Sequence, residues 1–277
     1  EIARGGMGVV QAAVWQGKQV AVKSLLHHSS AQLAAIEQEL LVHAPLVHPA
    51  IVHLYGANLD SPGCCIVLER CGCSLFNRLH RQREEVDRRA FILIAAQVAE
   101  GLDYMHSRQP ALVHRDVKSH NVLISDGSDE FSAKLCDFGL VNAREVTAGT
   151  PNYMAPELFL GKSYSTPVDA FAFGVLLNEM LRREVPWDGY SPADIREKVV
   201  AGDRPPLAPT APQAITSLLR QSWGEESKKR PSLAQASEVL RTAAALLPSL
   251  AASRALAITD DALDSLTRDL LRPTRPR

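Results

Sequence analysis

A short run of the chain, residues 112–124, carries the side chains with the clearest capacity for chemistry and reads LVHRDVKSHNVLI. Apolar residues bracket its polar middle, which predicts one loop held between buried anchors. On that loop the Asp116 carboxylate could position a hydroxyl group, the Lys118 ammonium could neutralise a phosphate, and the Asn121 amide could bind a metal ion. A polar turn of this composition could also arise by chance, so the loop needs matching parts elsewhere in the chain.

Two apolar, strand-like segments follow the loop, at 122–124 and 133–136, with the polar turn SDGSDE between them. Apolar runs on either side of such a turn predict a β-hairpin. The second strand leads into Asp137, so the hairpin would carry this carboxylate to the side of Asn121. A carboxylate and an amide oxygen together suit Mg²⁺, a hard cation that prefers oxygen ligands.

A glycine-rich hairpin is predicted at the start of the chain, where IARGGMGVV precedes a run that ends in QVAVK. Gly5, Gly6 and Gly8 lack a Cβ, so their backbone could approach phosphates closely. Lys23 ends the second strand, where it is either an ordinary edge charge or a group that reaches a phosphate. Taken alone, the glycines fit a plain hairpin equally well.

These motifs together resemble the protein kinase domain family. HRDVKSHN, DFG, AVK and the later GTPNYMAPE follow one another in family order over about residues 1–245. The sequences GTPNYMAPE and DFGLV are most similar to those of serine/threonine kinases of the tyrosine-kinase-like branch, which includes mixed-lineage and Raf-like kinases. Lys118 implies serine/threonine preference, since tyrosine-specific members usually carry an arginine in this loop. One position departs from the family pattern, because Ala3 replaces the first glycine of the glycine-rich loop.

The resemblance implies an α+β, bilobal fold. A small β-rich N-lobe with one helix would occupy residues 1–68, a hinge 69–73, and a larger, mainly helical C-lobe 74–245. Residues 246–277 lie beyond the resemblance and are either a helical extension or a partly disordered one.

The resemblance also implies that ATP and Mg²⁺ are the cofactors and that a protein with a serine or threonine is the substrate. Asp116, Lys118, Lys23 and Glu39 are implied to be catalytic, and Asn121 and Asp137 to hold the metal ion. Glu39 is preferred to Glu37 as the partner of Lys23 by counting back from the His48-Pro49 turn. The residues implied to bind the nucleotide are Ile2, Gly5, Gly6, Gly8, Val10, Ala21, Lys23, Leu68, Glu69, Cys71, Asn121, Leu123 and Asp137.

Regulatory and structural roles follow from the same resemblance. Thr150 would brace the catalytic aspartate and lysine, and a buried ion pair is expected between Glu157 and Arg230. Asp169, from a central helix, is expected to cap the backbone of the catalytic loop. Thr147 is either a phosphorylation site or an unmodified loop residue. If it is phosphorylated, Arg115 could hold the phosphate through bidentate hydrogen bonds.

Composition limits the classes of partner and the cellular compartment that are expected. The 277 residues carry 30 basic and 31 acidic side chains, a net charge of −1, which argues against a nucleic-acid-binding surface. No apolar run is long enough to span a membrane. Five cysteines, an odd number, favour a reducing compartment and a cytoplasmic location. The chain begins on the glycine cluster, which predicts that regulatory domains precede it.

The sequence also leaves three other interpretations open. The cysteines at 64, 65, 71 and 73 could form a zinc site, although their spacing lacks paired CxxC motifs. A pseudokinase that acts only by binding is supported by Ala3 and by His43, which lies where the family usually carries an apolar residue. A small-molecule phosphotransferase would share the HxD loop, but such enzymes generally lack the GTPxYMAPE segment.

Overall fold

The computed structural model describes residues 2–5, 8–25, 29–60, 63–82, 88–125, 132–141, 147–209 and 211–246. Gly6 of the glycine-rich segment therefore lies outside the described residues. So does the predicted C-terminal extension, apart from its first residue, Leu246.

Two sheets, seven α-helices and several short helical turns make up the described residues. In chain order the regular elements are β1 Ala3–Gly5, β2 Gly8–Trp15, β3 Lys18–Leu25, α1 Ser30–His43, β4 Leu54–Asn58, β5 Cys65–Glu69, β6 Cys73–Ser74, a π-helix Asn77–Gln82, α2 Arg88–His106, β7 Val122–Ile124, β8 Ala133–Leu135, α3 Pro156–Phe159, α4 Pro167–Arg182, α5 Pro192–Ala201, α6 Gln213–Ser222 and α7 Leu233–Leu246. Three 3₁₀ turns complete the list, at Ser119–Asn121, Pro151–Tyr153 and Ser227–Lys229.

The N-terminal lobe is a five-stranded antiparallel sheet in the order β1-β2-β3-β5-β4, with α1 packed against it. The β2–β3 hairpin turns at Gln16 and Gly17, both with positive φ angles, as a tight turn that follows strand twist requires. Helix α1 begins at a capping box, in which Ser29 and Gln32 satisfy each other's backbone N–H groups. Ile36 of α1 and Ile66 of β5 meet in the small core between helix and sheet.

The C-terminal lobe is mainly helical and contains the larger core. Its central helix, α4, is buried along its whole middle, from Val168 to Met180. A helix that is buried on every face must be surrounded by other elements, and α2 and α6 pack against it. A three-stranded sheet, β6-β7-β8, lies at the edge of this lobe. The lobe-linking segment is short, because residues 70–72 join β5 to β6 and Glu69 and Cys73 lie in those strands.

This architecture confirms the predicted α+β, bilobal fold. The predicted hairpin after the catalytic loop is present as β7 and β8, in register from Val122 opposite Leu135 to Ile124 opposite Ala133. Within the part of the chain that the structure describes, no helix is long and apolar enough to cross a membrane.

Candidate active site

The loop that contains Asp116 is fixed from below by a buried carboxylate. Asp169, fully buried in α4, accepts hydrogen bonds from the backbone N–H groups of His114 and Arg115, each at 2.8 Å. His106 donates a third, from Nε2 to Asp169 Oδ2, also at 2.8 Å. Burial would raise the pKa of Asp169, but the hydrogen bond and the charge of His106 outweigh it and hold the pKa low. The predicted cap is therefore present, and it secures Arg115 in a left-handed conformation with φ of 68°.

The side chains of Asp116, Lys118 and Thr150 form a closed triangle. Lys118 Nζ donates to Asp116 Oδ2 at 2.6 Å, and Thr150 Oγ1 donates to Asp116 Oδ1 at 2.6 Å. Lys118 Nζ also donates to Thr150 Oγ1 at 2.8 Å. Burial would raise the pKa of Asp116, but these two donors lower it below the ordinary value, so the carboxylate is ionised at neutral pH. An ionised carboxylate beside an ammonium can orient a hydroxyl and accept its proton.

Lys23 lies in β3 and pairs with α1. Its Nζ is 3.0 Å from each carboxylate oxygen of Glu39, whereas Glu37 is exposed. Burial would lower the pKa of Lys23, but the charges of Glu39 and Asp137 outweigh it and raise the pKa. The ammonium is thus held as a cation between the helix and the aspartate that follows β8, where it can meet a phosphate.

Asn121 and Asp137 come together because β7 and β8 pair. The backbone N–H of Cys136 donates to the Asn121 carbonyl at 3.0 Å, which places the next residue, Asp137, at the same end of the hairpin. Asn121 Nδ2 donates to the backbone carbonyl and to Oδ2 of Asp116, both at 2.9 Å. The amide oxygen of Asn121 and the carboxylate of Asp137 are then the atoms available to a cation. Two hard oxygen donors, completed by phosphate and water, fit Mg²⁺.

The zinc alternative finds no support in the described residues. Within that part of the chain, no group of three or more His, Cys, Asp or Glu side chains is arranged to hold a metal ion. Burial raises the pKa of Cys136, and the neighbouring Asp137 adds to the effect, so this thiol stays protonated.

The residues predicted to enclose the nucleotide base come from both sheets. Ala21 of β3 lies opposite Leu68 of β5, and Val10 of β2 lies opposite Lys23. Leu123 of β7 pairs with Ser74, just after the lobe-linking segment. In the first sheet these pairings place Val10, Ala21 and Leu68 on the same face as Lys23, whereas Leu123 belongs to the second sheet.

Some backbone N–H groups of the residues predicted to bind the nucleotide already donate hydrogen bonds within the protein. The N–H of Glu69 donates to the His53 carbonyl at 2.8 Å, so a contact of Glu69 with adenine would use its carbonyl oxygen. Cys71 follows in the lobe-linking segment and is half-buried. At the other end, the N–H of Ile2 donates to the Val10 carbonyl at 2.8 Å, and Gly5 pairs with Gly8 where β1 meets β2. The paired glycines fit a phosphate-covering hairpin.

The segment before α3 is tied to the end of the lobe by the predicted ion pair. Arg230 Nη1 and Nη2 donate to the two oxygens of Glu157 at 2.6 and 3.0 Å. Near the other end of the segment, Arg115 donates to the Ala148 carbonyl at 3.3 Å, next to the exposed Thr147. The segment therefore has a fixed point after Thr150, while Thr147 is accessible to a modifying enzyme.

His43 packs between the two lobes. Its ring lies 4.6 Å from that of Phe138, and Nε2 is 2.7 Å from the Val52 carbonyl, which requires the imidazole to donate there. The residue is 3% exposed, and burial lowers its pKa in spite of the hydrogen bond to Val52. The imidazole is therefore neutral in the folded protein at neutral pH.

A pH dependence of stability follows from the lowered pKa of His43. The unfolded chain takes up a proton near pH 6.5 but the folded protein does so only at lower pH. The contribution of His43 to the free energy of unfolding is therefore fully present above pH 6.5 and is lost as the pH falls below that value. His43→Met should therefore lose less free energy of unfolding between pH 7.5 and 5.5 than the wild type, measured by urea unfolding. His53→Gln alters an exposed histidine that makes only a minor contribution to the lowered pKa of His43, so this variant should keep most of the wild-type loss. Equal losses in all three proteins would contradict the assignment.

Comparison with known sequences identifies the family to which this chain belongs. The family model described as protein kinase domain matches residues 1–241. The chain belongs to the protein kinase family. The kinase domain is 35% identical over 248 residues to human mitogen-activated protein kinase kinase kinase 7, which covers 86% of this chain and 40% of that protein. It is 33% identical over 254 residues to the Arabidopsis thaliana serine/threonine-protein kinase CTR1, covering 87% of this chain and 31% of that protein.

A probable serine/threonine-protein kinase of Dictyostelium discoideum is 31% identical over 246 residues, covering 85% of this chain and 26% of that protein. These relatives agree with the predicted serine/threonine type and the tyrosine-kinase-like branch. The kinase domain spans less than half the length of each of the three.

One buried carboxylate near the catalytic loop was not predicted from the sequence. Glu179 of α4 accepts hydrogen bonds from Ser119, Tyr153 and His80. His80 lies 99 residues from Glu179, in an element with no recognisable motif, so the sequence offers no signal for this contact.

Proposed function

We propose that the kinase domain transfers the γ-phosphoryl group of MgATP to the hydroxyl group of a serine or threonine in a protein substrate. The observation that carries the proposal is the closed triangle of Asp116, Lys118 and Thr150, one corner of which is the ionised carboxylate of Asp116. Phosphoryl transfer needs positioning and charge stabilisation more than covalent chemistry, and this triangle supplies both.

Each side chain of the cleft has a role in this proposal. Asp116 orients the substrate hydroxyl and accepts its proton, while the ammonium of Lys118 stabilises the negative charge that develops on the transferred group. Lys23, kept charged and in place by Glu39, grips the nucleotide phosphates. Asn121 and Asp137 hold Mg²⁺, which, when bound, draws charge from the phosphate oxygens and orients them.

The base of the nucleotide occupies the cleft between the lobes. Val10, Ala21 and Leu123 sandwich its faces, Leu68 lies beside it, and the glycine-rich hairpin covers the phosphates. The support for this arrangement is the register of β2, β3 and β5, which places Val10, Ala21 and Leu68 on the same face of the sheet as Lys23.

Activation is proposed to act through Thr147. A phosphate on this exposed threonine would lie close to the Arg115 guanidinium, which already contacts the neighbouring carbonyl of Ala148. Further regulatory domains are proposed to lie N-terminal to this chain. A cytoplasmic location is proposed from the odd number of cysteines, five, which favours a reducing compartment.

Mass spectrometry of the protein after incubation with Mg²⁺ and ATP tests the activity. We expect phosphate on serine or threonine side chains, with Thr147 among them, and none on tyrosine. Lys23→Met is expected to show no incorporation, because the phosphates lose the ammonium that Glu39 holds in place. If the wild-type protein phosphorylates neither itself nor any protein substrate, the domain would instead be a binding module. Phosphorylation of a metabolite alone would indicate a small-molecule kinase.

A further inference from the structure

Glu179 is a buried carboxylate to which the proposed chemistry gives no role. It is 1% exposed, and it accepts hydrogen bonds from three separate segments of the chain. Ser119 Oγ donates to Oε1 at 2.7 Å, His80 Nε2 contacts the same oxygen at 2.9 Å, and Tyr153 Oη donates to Oε2 at 2.7 Å. A buried carboxylate is costly unless it is fully hydrogen-bonded, so these contacts must be retained for the local fold to hold.

The first route from Glu179 leads to the catalytic aspartate through the catalytic loop. Ser119 is fully buried and directly follows Lys118 in the chain. Lys118 in turn donates to Asp116 Oδ2 at 2.6 Å. The carboxylate of Glu179 therefore fixes the backbone from which the catalytic ammonium extends.

The second route leads to the same aspartate from the other side. Tyr153 ends a 3₁₀ turn, Pro151–Tyr153, whose first capping residue is Thr150. Thr150 Oγ1 donates to Asp116 Oδ1 at 2.6 Å. The two routes thus close a ring that begins and ends at Asp116, with Glu179 on the far side. Burial raises the pKa of Tyr153, and the charge of Glu179 raises it further, so the phenol remains a donor.

His80 supports the carboxylate from the lobe-linking side. Of the three donors to Glu179, only His80 can carry a positive charge. It lies in the π-helix that follows β6, and its ring contacts that of Phe76 at 4.8 Å. Phe76 also stacks on His120 of the catalytic loop, with ring centroids 3.8 Å apart. The π-helix and the residue before it therefore contact the catalytic loop in two ways, His80 through Glu179 and Phe76 through its stacked ring.

We propose that Glu179, supported by His80, is a positioning residue that holds Lys118 and Thr150 in register on either side of Asp116. The inference rests on the proposed kinase function. It assigns Glu179 no contact with substrate; its effect reaches the transferred group through Ser119 and Tyr153. Ser119 Oγ and Tyr153 Oη also contact each other directly, but at 3.4 Å this is a long hydrogen bond. Loss of the carboxylate would leave it as the remaining link between the two routes and let the lysine and the threonine move apart.

The first experiment compares Glu179→Ala with Glu179→Gln in steady-state assays with a protein substrate. We expect Glu179→Ala to lower kcat roughly ten- to hundredfold, since the charged hydrogen bonds to the carboxylate are lost. The KM for ATP should stay within about twofold, because Lys23 and Glu39 are untouched. Glutamine keeps an oxygen acceptor, and its amide can donate to the Tyr153 hydroxyl, so it should recover most of the activity. Glu197→Ala, which truncates an exposed glutamate of α5, serves as the neutral control.

A second experiment remains decisive if Glu179→Ala fails to fold. Ser119→Ala and Tyr153→Phe each remove one donor hydroxyl and little volume. If both hydroxyls act through the same carboxylate, the loss of either one already disturbs the positions of both Lys118 and Thr150. The fold-decrease in kcat of the double variant should then be clearly smaller than the product of the two single fold-decreases. Multiplicative losses, or a kcat within about twofold of wild type in all variants, would overturn the proposal. So would a parallel rise in the KM for ATP.

These outcomes are separable from a failure of the proposed function. An inactive wild-type protein, with every variant equally inactive, refutes the kinase proposal itself. An active wild type whose kcat is indifferent to Glu179 and its donors refutes only the positioning role.

Discussion

Asp116→Asn is expected to lower the rate of phosphotransfer about a hundred- to ten-thousandfold, the range observed when a general base is removed. The amide keeps the size of the carboxylate but cannot accept the substrate proton, and it loses the charge that holds Lys118 Nζ at 2.6 Å. Binding of nucleotide should change little, since the predicted phosphate and metal ligands are Lys23, Asn121 and Asp137. The measurements are single-turnover phosphotransfer and equilibrium titration with a fluorescent nucleotide.

Asp188→Asn provides the matched control, because it makes the same chemical change at an exposed position. It should leave both quantities at the wild-type level. A rate for Asp116→Asn within about tenfold of the wild type would remove Asp116 from the proposed role. Loss of nucleotide binding together with the rate would instead point to collapse of the cleft, since Asn121 donates two hydrogen bonds to Asp116.

Arg230→Met is expected to lower the free energy of unfolding by about 3–5 kcal/mol, as is typical when one partner of a buried ion pair is removed. The Arg230 side chain is fully buried and makes a bidentate contact with Glu157. It also donates to the carbonyls of Gly224 and Pro167, at 2.9 and 3.0 Å. Its removal leaves a carboxylate and two carbonyls without their donor. Urea unfolding followed by intrinsic fluorescence measures the change.

Arg241→Met is the control for that measurement. Arg241 pairs with Glu100, but its side chain is 54% exposed. Water screens an exposed pair, so its loss should cost less than about 1 kcal/mol. The double variant Glu157→Leu with Arg230→Met should regain part of the stability lost by Arg230→Met, because no buried charge is then left unpaired. Equal effects at Arg230 and Arg241 would contradict the importance of burial.

Local motifs made much of the site predictable from the sequence. The catalytic loop, the β7–β8 hairpin and the aspartate after it are close in the chain, so their relative positions follow from short-range rules of turns and register. The pairing of Lys23 with Glu39 rather than Glu37 depends on the phase of one helix, and the turn at His48 was enough to select it. The Glu157–Arg230 contact spans 73 residues but could be expected, because both residues belong to recognisable family motifs.

Contacts outside any motif could not be predicted. The ring that passes through Glu179 depends on how the π-helix, α4 and the turn at Tyr153 pack together, and that packing is set by the whole core of the C-terminal lobe. The hydrogen bond from His43 to the Val52 carbonyl has the same origin. A histidine among apolar residues predicts burial, but its acceptor is supplied by backbone that the helical pattern does not locate.

The cap that Asp169 places on the catalytic loop determines which parts of the site can be switched. Because α4 lies in the middle of the large core, the backbone at His114 and Arg115 shares the rigidity of that core, although it belongs to no regular element. We therefore expect Asp116 to keep its position when its neighbours move. We expect control of the proposed activity to act on the groups around it, namely Lys23 of β3, which Glu39 of α1 holds in place, and Thr150 in the segment before α3.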